Sequence, residues 1–498
     1  MRPAAPLILA AILLAAALPG LAACGSGTDP NVVKVAYNRS TNTKNRFKDA
    51  FLTRMKKQFE KANPGKRIKL VPIQAQENDY ATKVQQMMRS DRTAPDVVYE
   101  DTFRMGSDIE AGYLRPLDRY LRVWRPWERF AASAKEAVRA ADGRTYGVPD
   151  GTDTRALWYD RAVFARAGLP ADWRPRDWDD VLDAARTVRR RVPDVVPLNV
   201  YTGKAPGEGA VMQGFEMLLY GTGDDPLYDA QARRWVTGGA GFRQALGFVR
   251  TVYREHLGPD VSDALDANVS TAVTSEWLPE GRLAIDLDGS WLGQYWLPSG
   301  SRPWPAWSTR LAYTPMPTRT GAPPGRVSMS GGWAWAVSAR CDKPDLAWKF
   351  VETLQTQRNA ADWDIVAAQI AVRSDVARDP RYLRSMPSTA FFTDLVRDTH
   401  YRPALPAYPR VSSAIGEALE AVTTGDSSPE AAARAYDRRL RSITDGAVTA
   451  AAHGGGPGAD GGGGTGTDRG GDAGTDPGSG TGTGHPTGNP TGKAGPRR

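Results

Sequence analysis

The residues best suited to chemistry in this chain are carboxylate, amide, arginine and tryptophan side chains beside short apolar runs. They are Asn38, Glu100, Asp101, Asp153, Arg155, Trp291 and Trp333. A flat aromatic ring buries about 150–250 Å² when it covers the apolar face of a ligand. Carboxylates and guanidinium groups make directional hydrogen bonds, and a buried polar group left unpaired penalises ligands of the wrong stereochemistry. This combination predicts a binding site for a small molecule with apolar faces and a polar rim.

Several of these candidates have a purely structural alternative. Trp291 ends an Asp-Gly-Ser-Trp turn after an apolar run, and it either stacks on ligand or packs in the core. Trp333 and Trp335 are two residues apart, so both point the same way from a strand. We favour Trp333 as the ring that meets the ligand. Asp153 and Arg155 either bind ligand or form an ion pair that stabilises a hinge.

Catalysis has little support in the sequence. The motifs GxSxG, HExxH and CxxC are absent, and the four histidines are far apart. We therefore expect no catalytic residue, no metal site and no cofactor. A membrane-tethered glycoside hydrolase is an alternative, because Asp150, Asp153 and Asp288 could supply the two carboxylates, about 5–10 Å apart, that such an enzyme needs. A surface adhesin is another alternative, and it would bind no small ligand in a closable cleft.

Alternating apolar runs and amphipathic segments predict an α/β fold. We expect strands at 32–36, 68–73 and 96–99, a helix from Phe47 that stops at 63–65, and a helix at 80–88. This order implies a mainly parallel sheet covered by helices. Such sheets bind ligands beyond the carboxyl ends of their strands, which makes 38–43 and 100–104 the first candidate segments. The sequence does not decide whether Glu100 or Asp101, the two adjacent carboxylates of the second segment, points inward.

The rest of the chain continues the pattern and is rich in aromatic residues. We expect helices at 177–192 and 241–256, strands at 283–287 and 333–337, a helix that opens at Pro344, and a helical stretch over 412–450. The chain has 15 tryptophans, more than packing alone usually demands, and several lie in predicted loops. Trp173 and Trp178 flank a helix entry and are expected to pack rather than bind.

The two ends of the chain differ from the middle. Arg2 precedes an apolar run over 7–18 that leads to Leu-Ala-Ala-Cys at 21–24. This segment resembles the bacterial lipobox, which implies a signal peptide at 1–23, a lipidated Cys24 and a flexible spacer over 24–30. An ordinary secretory signal is the alternative. The Gly-, Thr- and Pro-rich segment 453–498 is expected to be a disordered tail.

Length, charge and cysteine content limit the class of protein. Between the signal and the tail, about 425 residues remain, which is comfortable for two domains. The net charge of +8 is spread along the chain with acidic and basic residues interleaved, so a nucleic-acid partner is not expected. Once Cys24 carries lipid, Cys341 is the single remaining cysteine, which excludes an intramolecular disulfide.

A set of motifs in order resembles one family. The run 55–65 resembles the opening helix of the family 1 extracellular solute-binding proteins, the sugar-binding lipoproteins of ABC importers. Further segments that match in order are 94–98, 146–149 with 157–159, 281–291, and 330–333 with 347–350. The resemblance spans about 32–450 and leaves out the tail. It implies a two-lobed, type II periplasmic-binding-protein-like α/β fold, with a hinge between the lobes and the ligand cleft at their interface.

The resemblance also implies a function and a division of the chain. One lobe is expected over 31–147 with 316–375, and the other over 148–315 with 376–452. The expected ligand is a sugar of di- or oligosaccharide size, with a non-sugar solute as the alternative, and the expected partner is an ABC permease. Tyr408 becomes a further candidate ligand contact, because the family often supplies an aromatic before the late helix. The protein is expected to be a monomer, lipid-anchored at the extracellular face of the cell membrane.

Overall fold

The computed structural model describes residues 29–40, 46–75, 77–223 and 226–451. The predictions about the signal peptide, Cys24 and the tail lie outside these residues. Within them the strands are β1 Val32–Arg39, β2 Arg67–Gln74, β3 Val97–Asp101, β4 Gly147–Pro149, β5 Arg155–Asp160, β6 Val196–Asn199, β7 Tyr228–Asp229, β8 Arg234–Thr237, β9 Leu283–Gly289, β10 Leu311–Thr314, β11 Met316–Pro317, β12 Arg326–Ser330, β13 Trp333–Val337, β14 Thr399–Tyr401 and β15 Val448–Ala450.

The described helices are α1 Phe47–Ala62, α2 Glu77–Met88, α3 Thr102–Glu110, α4 Asp118–Leu121, α5 Ala132–Glu136, α6 Arg161–Ala167, α7 Trp178–Arg191, α8 Met217–Gly221, α9 Ala240–Arg254, α10 Val261–Ala264, α11 Val269–Ala272, α12 Leu292–Trp296, α13 Trp307–Arg310, α14 Pro344–Leu354, α15 Gln357–Ala367, α16 Pro380–Leu383, α17 Thr389–Asp394, α18 Tyr408–Thr424 and α19 Pro429–Ile443. Two short 3₁₀ turns, Arg125–Arg129 and Leu395–Asp398, and two π-helical segments, Ala210–Glu216 and Val273–Trp277, complete the helical elements.

The first large sheet has five strands in the order β2-β1-β3-β13-β4. β1 pairs in parallel with both β2 and β3, as the β-α-β-α-β pattern predicts. The prediction of a mainly parallel sheet is wrong, because β13 pairs antiparallel with both β3 and β4, so that two of the four strand pairings are antiparallel. The cause is topological, since β13 comes from much later in the chain and enters this sheet in the opposite direction. α1 covers one face with Phe51, Met55 and Phe59.

The second large sheet has the order β10-β5-β9-β6. Its central strand β9 is buried along its whole length, and it runs two residues further than predicted. Helices α7, α9, α18 and α19 contribute to the core cluster that covers this sheet. α7 begins where the side chain of Asp177 accepts a hydrogen bond from the backbone of Asp180, which satisfies a free helix N–H. Trp173 and Trp178 are buried in this core, so the packing prediction for them is confirmed.

Short connections lead into and out of the first sheet. Residues 150–154 join its strand β4 to β5 of the second sheet. Gly331 with Gly332 joins β12, which belongs to a three-stranded sheet with β11 and β14, to β13 of the first sheet. Thr152 exchanges backbone hydrogen bonds with Ile370 beside the first connection. These connections are compatible with the predicted lobes, whose boundaries stay a prediction.

The end of the described chain differs from the single helical stretch that the sequence predicts. α18 ends at Thr424, before Gly425, whose φ of +89° favours glycine, and α19 begins at Pro429. After α19 the chain forms β15, which pairs in parallel with β8. The turn residues between the helices and the β-branched residues at 448–449 explain the break and the final strand.

Tryptophan abundance largely reflects packing. Ten of the 15 tryptophans are buried in the core: Trp158, Trp173, Trp178, Trp235, Trp277, Trp296, Trp307, Trp335, Trp348 and Trp363. The inference from tryptophan number to ligand binding is therefore wrong for most of them. The buried Cys341 is a free thiol. Among the described residues, no helix is both long and apolar enough to cross a membrane.

Candidate functional site

Several predicted site residues meet where the two large sheets adjoin. Asp101 ends β3, and its carboxylate accepts a hydrogen bond of 2.9 Å from the backbone of Phe103 at the start of α3. Asp153 lies in the first connection between the sheets, where it forms an ion pair with Arg155 and accepts 2.8 Å from the backbone of Gly331 in the second connection. Asp153 is thus fixed by both connections, whereas Asp101 is fixed at the start of α3.

Arg155 connects Asp153 to Trp291. Its side chain is 6% exposed, donates 3.0 Å to the carbonyl of Met329, and has its guanidinium carbon 4.9 Å from the centre of the Trp291 ring. The ring also lies over Gly289, where an added Cβ would overlap it. Trp291 is partly buried, so it combines packing with an exposed portion that a ligand can reach. The ion pair foreseen as the structural alternative for Asp153 and Arg155 is present.

A second group of predicted residues lies on the first sheet. Asn38 is in β1, and its amide oxygen accepts a hydrogen bond from Lys48. The Lys48 ammonium is 5.0 Å from the Tyr99 ring centre and 5.2 Å from that of Trp333. Trp333 stacks on Tyr99 at 4.8 Å and is partly exposed, whereas Trp335 is in the core. Trp333 is therefore the better placed of the two rings for a ligand.

Glu100 and Asp101 face different surroundings. Glu100 is 3% exposed, and burial followed by the nearby Asp108 raises its pKa well above the usual value. Asp101 is partly exposed and forms an ion pair of 3.1 Å with Arg402. Because Asp101 faces the junction between the sheets, it is the stronger candidate for a ligand contact. The buried carboxyl of Glu100 favours its neutral form.

Tyr408 is fully buried in α18. Its ring meets Phe103 edge-on at 5.7 Å, and its hydroxyl lies 2.8 Å from Glu208 and 2.7 Å from Glu216. In this arrangement the ring lies beneath the surface, so its role as a ligand contact stays a prediction that requires neighbouring groups to move.

Three residues of this site were not predicted from the sequence. Arg402, Glu208 and Glu216 belong to no recognisable motif, and their contacts join parts of the chain about 190–300 positions apart. The available signal was weak: Arg402 directly precedes a proline near a predicted helix, and both glutamates lie within a mainly apolar segment. Sequence pattern identifies faces of elements but not which distant faces meet.

Other buried carboxyls lie near the junction. Burial raises the pKa of Asp150 to about 8, while Tyr99 and Lys48 oppose the shift. Burial likewise raises the pKa of Asp288 to about 6, although the backbone of Gly289 and the hydroxyl of Tyr201 donate to it at 2.6 and 2.8 Å. Within the described part of the chain, no cluster of three or more His, Cys, Asp or Glu residues could hold a metal ion.

The fold and the site at its sheet junction define a two-lobed binding protein of the type II periplasmic class. The chain matches the family model of bacterial extracellular solute-binding proteins over residues 43–361, which is more than half of its length. It belongs to this family.

Individual relatives agree with that membership. The chain is 26% identical over 191 residues to YcjN of Escherichia coli (strain K12), whose provisional name describes an ABC transporter periplasmic-binding protein. That alignment covers 36% of this chain and 41% of YcjN. The chain is 21% identical over 366 residues to the galactooligosaccharide-binding protein of Bacillus subtilis (strain 168), covering 73% and 80% of the two chains.

A solved structure supports the fold. It is an ABC transporter solute-binding protein of Thermotoga lettingae TMO bound with alpha-D-tagatose. Its TM-score to this chain is 0.69 at 20% identity, and the match covers 83% of this chain and 99% of that one. The two-lobed α/β fold implied by the sequence resemblance is confirmed.

Proposed function

We propose that this protein captures a sugar of di- or oligosaccharide size between its lobes and delivers it to an ABC permease. The observation that carries the proposal is the junction between the sheets, where a partly exposed tryptophan, two carboxylates and a buried arginine converge from separate parts of the chain. A sugar has apolar C–H faces and a rim of hydroxyls, and this set of groups complements both. Family membership and the sugar-named relatives support the same ligand class.

Within the site, we assign contacts by chemistry. Trp291 and Trp333 stack on sugar faces, and each fully covered ring contributes a few kcal/mol at about 25 cal/mol per Å², before the costs of association. The polar candidates at the junction meet hydroxyls: Asn38, Asp101, Asp153 and Arg155. Glu100 and the hydroxyl of Tyr408 are buried, so they reach a sugar only if neighbouring groups move. Because a ligand shifts a conformational equilibrium only by its differential affinity, contacts from both lobes favour the closed arrangement.

We infer that the protein binds without turnover. The family is one of binding proteins, and the carboxylates nearest the site are engaged by the protein itself. Asp153 pairs with Arg155, and Asp288 accepts hydrogen bonds from Tyr201 and from the backbone of Gly289. Hydrogen bonds and ion pairs of this kind position carboxylates to receive hydroxyl groups. The proposed carrier needs no cofactor.

We further propose that Cys24 is lipidated and anchors the protein, as a monomer, at the extracellular face of the membrane beside its permease. The pattern of small residues before Cys24 supports this proposal. Cys24→Ser is expected to release the protein from the membrane fraction or to leave the precursor uncleaved. Unchanged membrane association of the variant would contradict the anchor.

A ligand screen tests the function. Purified protein is mixed with disaccharides and oligosaccharides, and thermal unfolding and intrinsic tryptophan fluorescence are recorded for each. At least one sugar is expected to raise the melting temperature, because a ligand that binds only the folded state stabilises it. Amino acids, short peptides and polyamines serve as controls. A shift with one of these controls and with no sugar would overturn the proposed ligand class.

A further inference from the structure

Arg402 joins the two large sheets through one buried guanidinium. Its side chain is 8% exposed, and one nitrogen donates 3.1 Å both to Asp101 at the end of β3 and to the hydroxyl of Thr102. The other terminal nitrogen lies 3.4 Å from Glu208, which precedes the π-helical segment packed on the second sheet. The guanidinium satisfies both partners only while the two sheets keep this relative position.

A single hydrogen serves two carboxyls beside Arg402, those of the half-buried Glu208 and the buried Glu216. The hydroxyl of Tyr408 lies 2.8 Å from Glu208 and 2.7 Å from Glu216. A hydroxyl has one hydrogen to donate, and an ionised carboxylate has none. If both glutamates were ionised, one of these two contacts would join lone pairs with no hydrogen between them. One of the two carboxyls therefore carries a proton and donates it to the tyrosine oxygen.

The surroundings indicate which glutamate holds the proton. Burial raises the pKa of Glu208, but Glu208 faces Arg402 and accepts a hydrogen bond from Ser412, so both of its oxygens receive donors that oppose this shift. Glu216 is fully buried, and its second oxygen has no hydrogen-bond partner. Burial, followed by the nearby charge of Glu208, raises the pKa of Glu216 to about 8. Glu208 carries the charge and Glu216 the proton.

Other charged and titratable groups face this pair from the neighbouring elements. They are Asp101 on β3, Asp153 in the first connection, Arg155 on β5, Tyr220 on α8 with His400 stacked on its ring, Arg402 after β14, and Tyr436 on α19. The two arginines are the cations among them. Arg155 is already paired with Asp153 and Arg402 with Asp101, so neither is free to neutralise a second glutamate charge.

We propose that Glu216 and Arg402 are positioning residues that hold the lobes in the sugar-binding arrangement, and that loss of the proton from the Glu208–Glu216 pair releases this hold. The inference rests on the proposed sugar-binding function for its biological meaning. A carboxyl whose pKa is raised by folding stabilises the folded state below its ordinary pKa. That contribution is lost as the pH rises through the raised value. Sugar affinity therefore falls in alkaline solution.

Measuring the distance between the lobes tests the proposal without any sugar. Val123, 81% exposed just after α4 in one predicted lobe, and Val261, 38% exposed at the start of α10 in the other, are replaced by cysteine and spin-labelled in the full chain with Cys24→Ser. Cys341 is buried and stays unlabelled. Electron–electron resonance distances are recorded at about pH 6 and about pH 9.5, on either side of the expected proton loss.

The background chain is expected to show a longer or broader distance distribution at the higher pH. Glu216→Gln keeps a neutral side chain that can donate to Tyr408, and it is expected to hold the low-pH distribution at both values. Arg402→Lys lacks the planar fork and is expected to give the wider distribution at both. Asp286→Asn is the matched control, since Asp286 is also a buried carboxyl of raised pKa but pairs with Asn199 inside the second sheet.

A distribution that does not change with pH in the background chain, or an equal change in Glu216→Gln, would overturn the proposal. If Glu216→Gln does not fold, a pH response of Arg402→Lys equal to that of the background chain overturns it instead. A pH response removed by Asp286→Asn would also contradict it. These distances are recorded without sugar. Absence of sugar binding would therefore contradict the proposed function, while the distances would still test whether Glu216 and Arg402 hold the lobes.

Discussion

At the scale of single residues, Trp291 and Arg155 hold each other in place. The guanidinium lies 4.9 Å from the ring centre, and Asp153 fixes that guanidinium through an ion pair. A cation over an aromatic face contributes about 0.5–2 kcal/mol, with the larger values in desolvated sites. The ring is therefore oriented before any ligand arrives, which reduces the entropy lost on binding.

Replacing Trp291 tests whether this ring binds the ligand. Trp291→Ala is expected to weaken the best sugar by about 1.5–3 kcal/mol, roughly 10- to 150-fold, because apolar contact is lost. The free energy of unfolding should fall by much less than the 3–5 kcal/mol typical of a buried core tryptophan. Calorimetry and denaturant unfolding measure the two quantities. Unchanged affinity with a large loss of stability would show that Trp291 is a core residue.

Replacing Asp153 separates a ligand contact from a hinge contact. Asp153→Asn keeps the shape but removes the charge, and it is expected to weaken sugar binding by about 1.5–3 kcal/mol through loss of a charge-assisted hydrogen bond. Calorimetric titration measures the change. If affinity is unchanged while the melting temperature falls, the ion pair with Arg155 serves the hinge alone.

At the scale of elements, β9 and the turn after it decide where the ring lies. Gly289 ends β9, and the Trp291 ring lies close over it because there is no side chain. A strand that ends at the sheet junction thus presents an aromatic residue without lengthening the loop.

A small substitution tests this close approach. Gly289→Ala is expected to displace the Trp291 ring and to reduce sugar affinity several-fold, because the new methyl group occupies the ring's position. Gly247→Ala is the matched control, since a Cβ added there in α9 would meet no neighbouring side chain within 4 Å, and the change should stabilise the helix by up to about 1 kcal/mol. Equal affinities of the two variants would contradict the account.

Local pattern in the sequence predicts most elements well. The four-residue spacing of Phe47, Phe51, Met55 and Phe59 predicts α1, and its predicted stop at 63–65 is confirmed because the helix ends at Ala62. The antiparallel entry of β13 and the final strand β15 could not be predicted, because strand pairing depends on parts of the chain far apart in sequence. The same limit applies to the site: the Arg155–Asp153 pair is local and was foreseen, whereas Arg402 meets Asp101 across 301 positions and was not.

At the scale of the whole molecule, two sheets with separate cores are joined by short connections that also carry site residues. Asp153 lies in one connection and contacts Gly331 in the other. A change in the angle between the lobes must therefore alter the site, and a ligand that contacts both lobes must alter the angle.

The tail offers a further prediction at this scale. The composition of 453–498 provides no apolar residue other than alanine and proline for a core, so a chain ending at Ala452 is expected to keep its melting temperature and its sugar affinity. Thermal unfolding and calorimetry of both chains test this expectation. A large loss of either quantity would mean that the tail packs on the protein or takes part in binding.

The most direct test of the central claim is a calorimetric titration with the best sugar from the screen, followed by mass analysis of the recovered sugar. We expect saturable binding of one sugar per protein and recovery of the sugar chemically intact. Absence of binding by every di- and oligosaccharide would contradict the account. Steady formation of a cleavage product that is lost in Asp153→Asn or Asp288→Asn would also contradict it, and would identify a hydrolase instead.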